Sequence, residues 1–282
     1  MKYRELYEKG YNILAKANIA DATIDARLLL EFVCHTDRNY LYAHGDEQIN
    51  DIMSQMYELC INKRAQHIPL QHITGQQEFM GLNFFVNENV LIPRQDTEVL
   101  VEEAMLHIED GGAMLDLCTG SGCVLISVAR YKNDLTTIGA DISPKALEVA
   151  KRNADNLLNT DNCQKPVFIE SNLFDNIDGK FDIITANPPY IKTEVIESLE
   201  KEVKEHDPML ALDGGEDGLD LIKRIVEKAP EYLVEGGWLL LEIGYDQGDD
   251  CKKLFNQRGF VDVLVIKDLA ENDRVVIGRY IA

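Results

Sequence analysis

From residue 114 onward, short apolar runs alternate with segments of helical period, and few folds accommodate such an alternation. The runs 114–118, 136–141, 167–170, 181–186 and 238–243 read as strands. Between them, 124–131, a stretch capped by Ser143 with Pro144 in its first turn, and 219–233 read as helices. A helix over 252–257 then precedes two strands, 261–267 and 274–280, joined by a short loop. Repetition of strand, crossover helix and strand predicts an α/β fold with a doubly wound, mainly parallel, seven-stranded sheet and a terminal antiparallel hairpin.

The preceding third has a different period. Residues 1–75 carry helical spacing: Leu6, Ile13, Leu14 and Ala17 in one segment, 26–32 after Asp21 and Thr23 in a second. In a third, Ile49, Ile52, Met53, Met56, Leu59 and Cys60 form one apolar stripe, expected to pack against its neighbours. From Phe79 to Val86, and again over Val90, Leu91 and Ile92, the pattern is strand-like, with Asn87-Glu88-Asn89 as the turn. The expected organisation is a small helical domain (1–75), a β-hairpin linker (76–93) and the α/β domain (94–282). Asp96 or Thr97 would cap a helix running to about Ile108, closed by Gly111-Gly112.

No stretch is apolar enough to span a bilayer, and the N-terminus lacks the apolar core of a signal peptide, so a cytoplasmic location is expected. The six cysteines (34, 60, 118, 123, 163 and 251) form no C-x-x-C pair and read as reduced, buried small residues; with no histidine cluster, no metal is expected. Net charge is −21, and nucleic acid is bound mainly by neutralising phosphates. Without a lysine- or arginine-rich block, direct nucleic-acid binding is not expected.

Chemistry gathers where strands end. Asp116, Cys118, Thr119, Gly120, Ser121 and Gly122 lie between the first strand and its helix, where glycines let backbone approach a ligand. The third glycine of a dinucleotide fingerprint is missing, and the acidic residue disfavours a pyrophosphate. Asp141 ends the second strand, about 25 residues after Asp116, placed to accept both hydroxyls of a ribose. Ribose without pyrophosphate beside a positive group describes S-adenosylmethionine. After the third strand an adenine would lie against Leu173 with Asn172 near its exocyclic nitrogen. The fourth strand stops abruptly at Asn187-Pro188-Pro189-Tyr190, which suits a grip on a planar NH₂ group.

Together these motifs resemble a class I methyltransferase acting on an amino or amide nitrogen. Further stretches extend the resemblance over almost the whole chain: Pro69-Leu70-Gln71-His72-Ile73-Thr74-Gly75, Phe79-Met80-Gly81-Leu82, Leu91-Ile92-Pro93-Arg94-Gln95-Asp96-Thr97-Glu98, Ala211-Leu212-Asp213-Gly214-Gly215-Glu216-Asp217-Gly218, and Lys267-Asp268-Leu269-Ala270 with Asp273-Arg274. They are similar to the HemK/PrmC family. Two positions depart from the family pattern: Cys118 stands where glycine is frequent, and Gln95 where proline is usual. Cys118 is expected to keep its backbone out of positive φ.

The resemblance implies a monomeric enzyme that methylates the side-chain nitrogen of the glutamine in the Gly-Gly-Gln motif of peptide chain release factors, leaving S-adenosylhomocysteine. The Asn187 oxygen and the Pro188 carbonyl would accept the two amide hydrogens, and Tyr190 would stack on the amide plane. Arg94 and Glu98 would close the site, meet the substrate or form a surface ion pair. The 213–218 loop reads either as a lid or substrate contact, or as an ordinary turn. Two other functions fit parts of the pattern: an N6-adenine or N2-guanine nucleic-acid methyltransferase, which shares the fold and the Asn-Pro-Pro-Tyr signature, and a non-enzymatic nucleoside-binding module that holds a protein partner on its helices.

Overall fold

The computed structural model describes residues 1–159 and 164–281. Cys163 lies outside the described residues; the other five cysteines are free thiols, of which Cys251 is fully buried. Two units result, Met1–Gln76 with Glu200–His206 and Gln77–Leu199 with Asp207–Ala282.

The first unit is helical: α1 (Tyr3–Lys16), α2 (Ala22–Cys34), α3 (Arg38–Ala43), α4 (Asp51–Arg64), α5 (Leu70–Thr74) and a short helix at Lys201–His206. Asn50 and Asp37 start α4 and α3 by accepting the N–H of Met53 and Tyr40, each at 2.8 Å. Leu6, Leu14, Leu29, Leu30, Tyr57 and Ile61 make the core. The apolar stripe expected to pack in the third segment does so only in part: Ile49 is buried and Met53 and Cys60 lie against the core. Ile52, Met56 and Leu59 are 72, 51 and 58% exposed, while Tyr57, Ile61 and Arg64 face inward. A 3.6-residue period fits both faces of α4, and Tyr57 decides between them: its ring passes over Gly10, where a Cβ would stand 2.0 Å from the hydroxyl, and that hydroxyl donates to the Ala26 carbonyl at 3.0 Å.

The second unit opens with the hairpin β1 (Gln76–Phe79) and β2 (Leu82–Phe85). The hairpin turn is Met80-Gly81, both at positive φ; the expected turn at 87–89 forms, closed by the Val90 N–H on the Asn87 carbonyl at 3.2 Å, but it joins no strands, and the expected strand at 90–92 is corrected to a stretch outside any strand, with Val86 and Val90 buried against a helix of the sheet domain. After α6 (Glu98–His107) the chain forms β3 (Ala113–Leu117), α7 (Cys123–Tyr131), β4 (Thr136–Asp141), α8 (Pro144–Leu157), β5 (Val167–Glu170), β6 (Phe181–Ala186), α9 (Asp220–Lys228), β7 (Leu233–Glu242), α10 (Gly248–Arg258), β8 (Val261–Lys267) and β9 (Asp273–Arg279). The expected helix to 233 stops at Lys228, because Pro230 has no N–H to continue it and a single 3₁₀ turn follows.

The seven strands run in the order β5-β4-β3-β6-β7-β9-β8; the first five are parallel, and β9 is antiparallel to both its neighbours β7 and β8, so the sheet is mainly parallel with a terminal antiparallel hairpin, as the alternation predicts. Both faces are buried, which explains why the strands read as continuous apolar runs. Leu115, Leu117, Ile184, Leu239 and Leu241 point to the side covered by α9 and α10, and Met114, Ile183, Leu240 and Val275 to the side covered by α6 and α7. Ser143 accepts the Ala146 N–H at 3.2 Å and so caps α8 as expected.

In the helical unit one charged pair is nearly dry. Arg64 Nε donates to Asp25 Oδ2 at 2.6 Å with both side chains under 10% exposed, and Arg64 also holds the Ile68 carbonyl and Glu202. Removing one partner of such a pair strands the other. Arg64→Ala is therefore expected to lower stability in urea unfolding by about 3–5 kcal/mol, with much of the loss recovered in Arg64→Ala/Asp25→Asn.

Candidate active site

Register brings the strand ends together. Leu117 lies beside Ala140 and Ala186, and Ala186 beside Leu241, so β3, β4, β6 and β7 deliver Cys118, Asp141, Asn187 and Glu242 to one edge of the sheet. Above that edge opens a cavity of about 530 Å³. Asp116, Cys118, Thr119, Gly120, Ser121, Asp141, Asn172, Leu173, Asn187, Pro189 and Arg94 all line it; Gly122 and Pro188 do not, and neither does Tyr190.

Asp116 is 1% exposed and points into the sheet edge. Thr119 Oγ1 donates to one carboxylate oxygen at 2.6 Å and Thr185 Oγ1 to the other at 2.7 Å. Burial nonetheless pushes its carboxyl up to about 6, with the two threonine hydroxyls opposing that rise and the Asp141 charge adding to it. Asp141 accepts the Gly120 N–H and the Ser143 N–H, one on each oxygen at 2.9 Å, which leaves a lone pair free on both for a diol. Its pKa is raised by burial, against those two N–H groups.

The loop between them departs from expectation at Cys118, whose φ is +54°. The chain must turn there for the Thr119 N–H to reach the Ala140 carbonyl at 3.0 Å, and a non-glycine residue accepts the left-handed conformation at a cost of about 1–2 kcal/mol. Gly122 also has positive φ, and a Cβ there would meet Ile126 at 2.8 Å: it is a packing glycine. At Gly120 the nearest atom to a Cβ is 3.9 Å away, so its backbone faces open space. Asn153 of α8 holds the loop from behind, donating to the Ser121 carbonyl at 2.9 Å and the Phe85 carbonyl at 3.0 Å.

At the other end, Leu173 is buried with φ +56°, and the Asn172 oxygen accepts from Arg224 at 3.1 Å. Asn187 Nδ2 donates to Thr97 Oγ1 at 3.3 Å. Tyr190 does not stack in the cavity as expected: its ring packs into the core and its hydroxyl donates to Glu242 Oε1 at 3.1 Å. Glu242 is 2% exposed. Behind the motif, Gln247 donates to the carbonyls of Tyr190 and Gly218, and a Cβ on Gly214 would stand 2.7 Å from the Tyr190 Cα. The 213–218 glycines thus serve close backbone packing beneath Asn-Pro-Pro-Tyr, and only Asp213 of that loop reaches the cavity. Arg94 pairs with the buried Asp207 at 2.9 Å on the cavity wall, whereas Glu98 accepts the Met80 N–H at 2.7 Å and fixes the hairpin turn.

Sequence reasoning took Thr97 for a helix cap, whereas its side chain makes no cap hydrogen bond and meets Asn187 instead, and it missed Glu242, Asn153, Gln247 and Arg224 altogether. Glu242 left one signal, an acidic residue closing a run of three leucines. The others lie inside ordinary helices or turns and carry none. Among the described residues no group of three or more His, Cys, Asp or Glu side chains could hold a metal ion, and no helix is long and apolar enough to cross a membrane.

Residues 5–75 match the family model described as the PrmC N-terminal domain, and residues 94–214 the methyltransferase small domain. The solved structure of a methyltransferase from Pyrococcus furiosus aligns with 72% of this chain and 90% of its own at a TM-score of 0.53 and 16% identity, a likeness of fold. Among curated proteins, the release factor glutamine methyltransferase of Geobacter sulfurreducens is 40% identical over 97% of this chain and 94% of its own. That of Clostridium acetobutylicum is 38% identical over 98% of each. At that identity over nearly the full length of both, the chain belongs to the release factor glutamine methyltransferase family.

Proposed function

We propose that this protein transfers a methyl group from S-adenosylmethionine to the side-chain amide nitrogen of the glutamine in the Gly-Gly-Gln motif of peptide chain release factors. The observation that carries the reading is the pairing, in one cavity, of an acidic floor (Asp116, Asp141) with an amide at the end of β6 whose nitrogen is already engaged, so that its oxygen is left for a donor. Family membership supplies the protein substrate.

The cavity suits the cofactor. Two carboxylates at neighbouring strand ends favour a sulfonium cation and a ribose diol, the backbone at Gly120 has room beside it, and Leu173 offers an apolar wall for adenine. When bound, S-adenosylmethionine supplies an electrophilic methyl carbon. The residues of the chain do the rest. The Asn187 oxygen accepts one hydrogen of the glutamine NH₂; the acceptor proposed for the other is the carbonyl of Pro188, which is not itself in the lining of the ligand-free cavity but sits between the lining residues Asn187 and Pro189. These acceptors would aim the nitrogen's out-of-plane electron density at the methyl carbon of a bound S-adenosylmethionine, so that the methyl would pass to nitrogen with the C–S pair left on sulfur and the amide proton given up to water. Acceptors fixed before the reaction stabilise the positive charge growing on nitrogen without reorganising. Alignment of nitrogen, methyl and sulfur contributes up to about 7–11 kcal/mol. No side chain is needed as a strong general base.

The helical unit is the proposed contact region for the release factor, and the exposed Ile52, Met56 and Leu59 stripe on α4 supports that assignment, since exposed apolar surface on a folded unit marks contact sites. Arg94, half exposed on the cavity wall, is a candidate substrate contact. The acidic total and the absence of a basic block favour a protein substrate over nucleic acid.

Radiolabelled S-adenosylmethionine offered with a release factor, with its Gln→Ala variant in Gly-Gly-Gln, and with nucleic acid tests the reading. Label is expected on the first alone; label on nucleic acid would establish the other methyltransferase class. Asn187→Ala is expected to bind cofactor normally and lose turnover by about 10²-fold or more, the cost of removing one preorganised polar group. Cofactor affinity also carries a pH signature. Burial holds a proton on Asp116 below about pH 6, and a cation beside it requires the carboxylate. Affinity measured by calorimetry should therefore be level above about pH 7 and fall by up to about tenfold per unit below about 6, with release of a proton on binding. A flat profile from pH 5 to 8 would show that Asp116 does not face the cation.

A further inference from the structure

Two large apolar side chains stand in water where the cavity opens. Met209 is 52% and Leu210 71% exposed, and both line the cavity that holds Asn187. Apolar area left exposed on a rigid rim, next to a site that grips a ligand, is surface available to that ligand.

The rim is fixed from three directions. Met209–Ala211 is a single 3₁₀ turn, with the Ala211 N–H on the Pro208 carbonyl at 2.8 Å and the Leu212 and Asp213 N–H groups on the Met209 carbonyl at 3.1 Å. Just before the turn, the buried Asp207 pairs with Arg94 at 2.9 Å, and Arg94 lines the same cavity. Just after it, the chain bridges to Ile191, the residue that follows Asn187-Pro188-Pro189-Tyr190. The Ile191 N–H donates to the Leu212 carbonyl at 3.1 Å and the Gly214 N–H to the Ile191 carbonyl at 2.8 Å. Leu212, 3% exposed, anchors the turn by burial. The apolar turn and the amide at the end of β6 are thus tied to one another through the backbone.

A glutamine side chain has only two methylene groups between its amide and the main chain. For that amide to reach Asn187 inside the cavity, the substrate backbone must come down to the rim, where Met209 and Leu210 stand. A Cβ on the neighbouring substrate residue would compete for that space, and glycine has none.

We infer that Met209 and Leu210 form an apolar lip that sets the specificity of the site: they pack on the bare backbone of the glycine beside the substrate glutamine and exclude a larger residue there. Exclusion is the repulsive half of specificity, and it needs a wall that does not yield, which the Arg94–Asp207 pair and the Ile191 bridge supply. The lip deepens the proposed function and rests on its reading of the Gly-Gly-Gln glutamine as methyl acceptor.

Two enzymes and two substrates test it. The wild-type enzyme and Met209→Ala/Leu210→Ala are each given labelled S-adenosylmethionine with a release factor carrying Gly-Gly-Gln, and with its variant in which the glycine next to the glutamine is changed, Gly→Ala. The wild-type enzyme is expected to lose at least about tenfold in kcat/KM on the alanine substrate, the scale of one extra carbon in a fitted pocket. In the lip variant the two substrates should lie within about threefold of one another, because changes at one contact do not multiply. On Gly-Gly-Gln itself the lip variant should raise KM more than it lowers kcat. Both side chains are mostly in water, so the thermal midpoint and the Kd for S-adenosylmethionine should stay at wild-type values.

Equal rates of the wild-type enzyme on the two substrates, or the same loss on alanine in the lip variant as in the wild type, would overturn the inference. A weaker Kd for S-adenosylmethionine in the lip variant would overturn it as well, by assigning the turn to the cofactor. Absence of label on Gly-Gly-Gln with the wild-type enzyme is a separate failure, that of the proposed function, and the lip falls with it. Label on Gly-Gly-Gln with unaltered discrimination sinks the lip alone.

Discussion

The backbone ladder between β3, β4, β6 and β7 sets Leu117 beside Ala140 and Ala186, and Ala186 beside Leu241. Everything in the α/β unit that bears on chemistry depends on that alignment. Parallel strands in a doubly wound sheet end together on one edge, where the crossovers leave an open crevice. Side chains 126 residues apart in sequence, Asp116 at one extreme and Glu242 at the other, thus become parts of one site. A slip of one residue in any of these strands would turn its polar group from the sheet edge to the opposite face.

Buried polarity is concentrated at this edge and is almost fully matched. Asp116 has two threonine hydroxyls, Asp141 two backbone N–H groups, Gln247 two carbonyls and a backbone N–H, Asn153 two carbonyls and a backbone N–H. A satisfied network in a low-dielectric interior holds its members in one arrangement and makes alternatives costly. Charge is less well matched than hydrogen bonding, since burial lifts the Asp116 carboxyl to about 6 even with both oxygens bonded, and raises Asp141 and Glu242 too. A cation in the cavity relieves that penalty, so the energetics of the ligand-free floor already favour the kind of ligand proposed for it.

Glycine and its neighbours mark where backbone must come close. Gly214 and Gly218 lie against the Tyr190 backbone, which stiffens the Asn-Pro-Pro-Tyr turn from below while the two prolines restrict it from within. Cys118 shows the limit of that logic, because it takes a left-handed conformation without being glycine. The loop pays for that locally with one strained residue, and the fold accommodates it through the Thr119 to Ala140 hydrogen bond.

Much of this was legible in the residues alone. Period and punctuation specify each strand of the seven-stranded sheet and most helices because they reflect local sterics and burial, and the motifs at strand ends are short enough to be read directly: Asp116, Cys118 to Ser121, Asp141, Asn172-Leu173 and Asn187 all line the cavity. Three features needed the tertiary structure. The buried face of α4 was chosen by Tyr57 and Gly10, from another helix. The direction of the Tyr190 ring was chosen by a carboxylate 52 residues away. The orientation of the Asn187 amide was chosen by Thr97, 90 residues earlier. In each case the local pattern allowed two arrangements of nearly equal energy, and a partner distant in sequence made only one of them bury its polar atoms with hydrogen bonds.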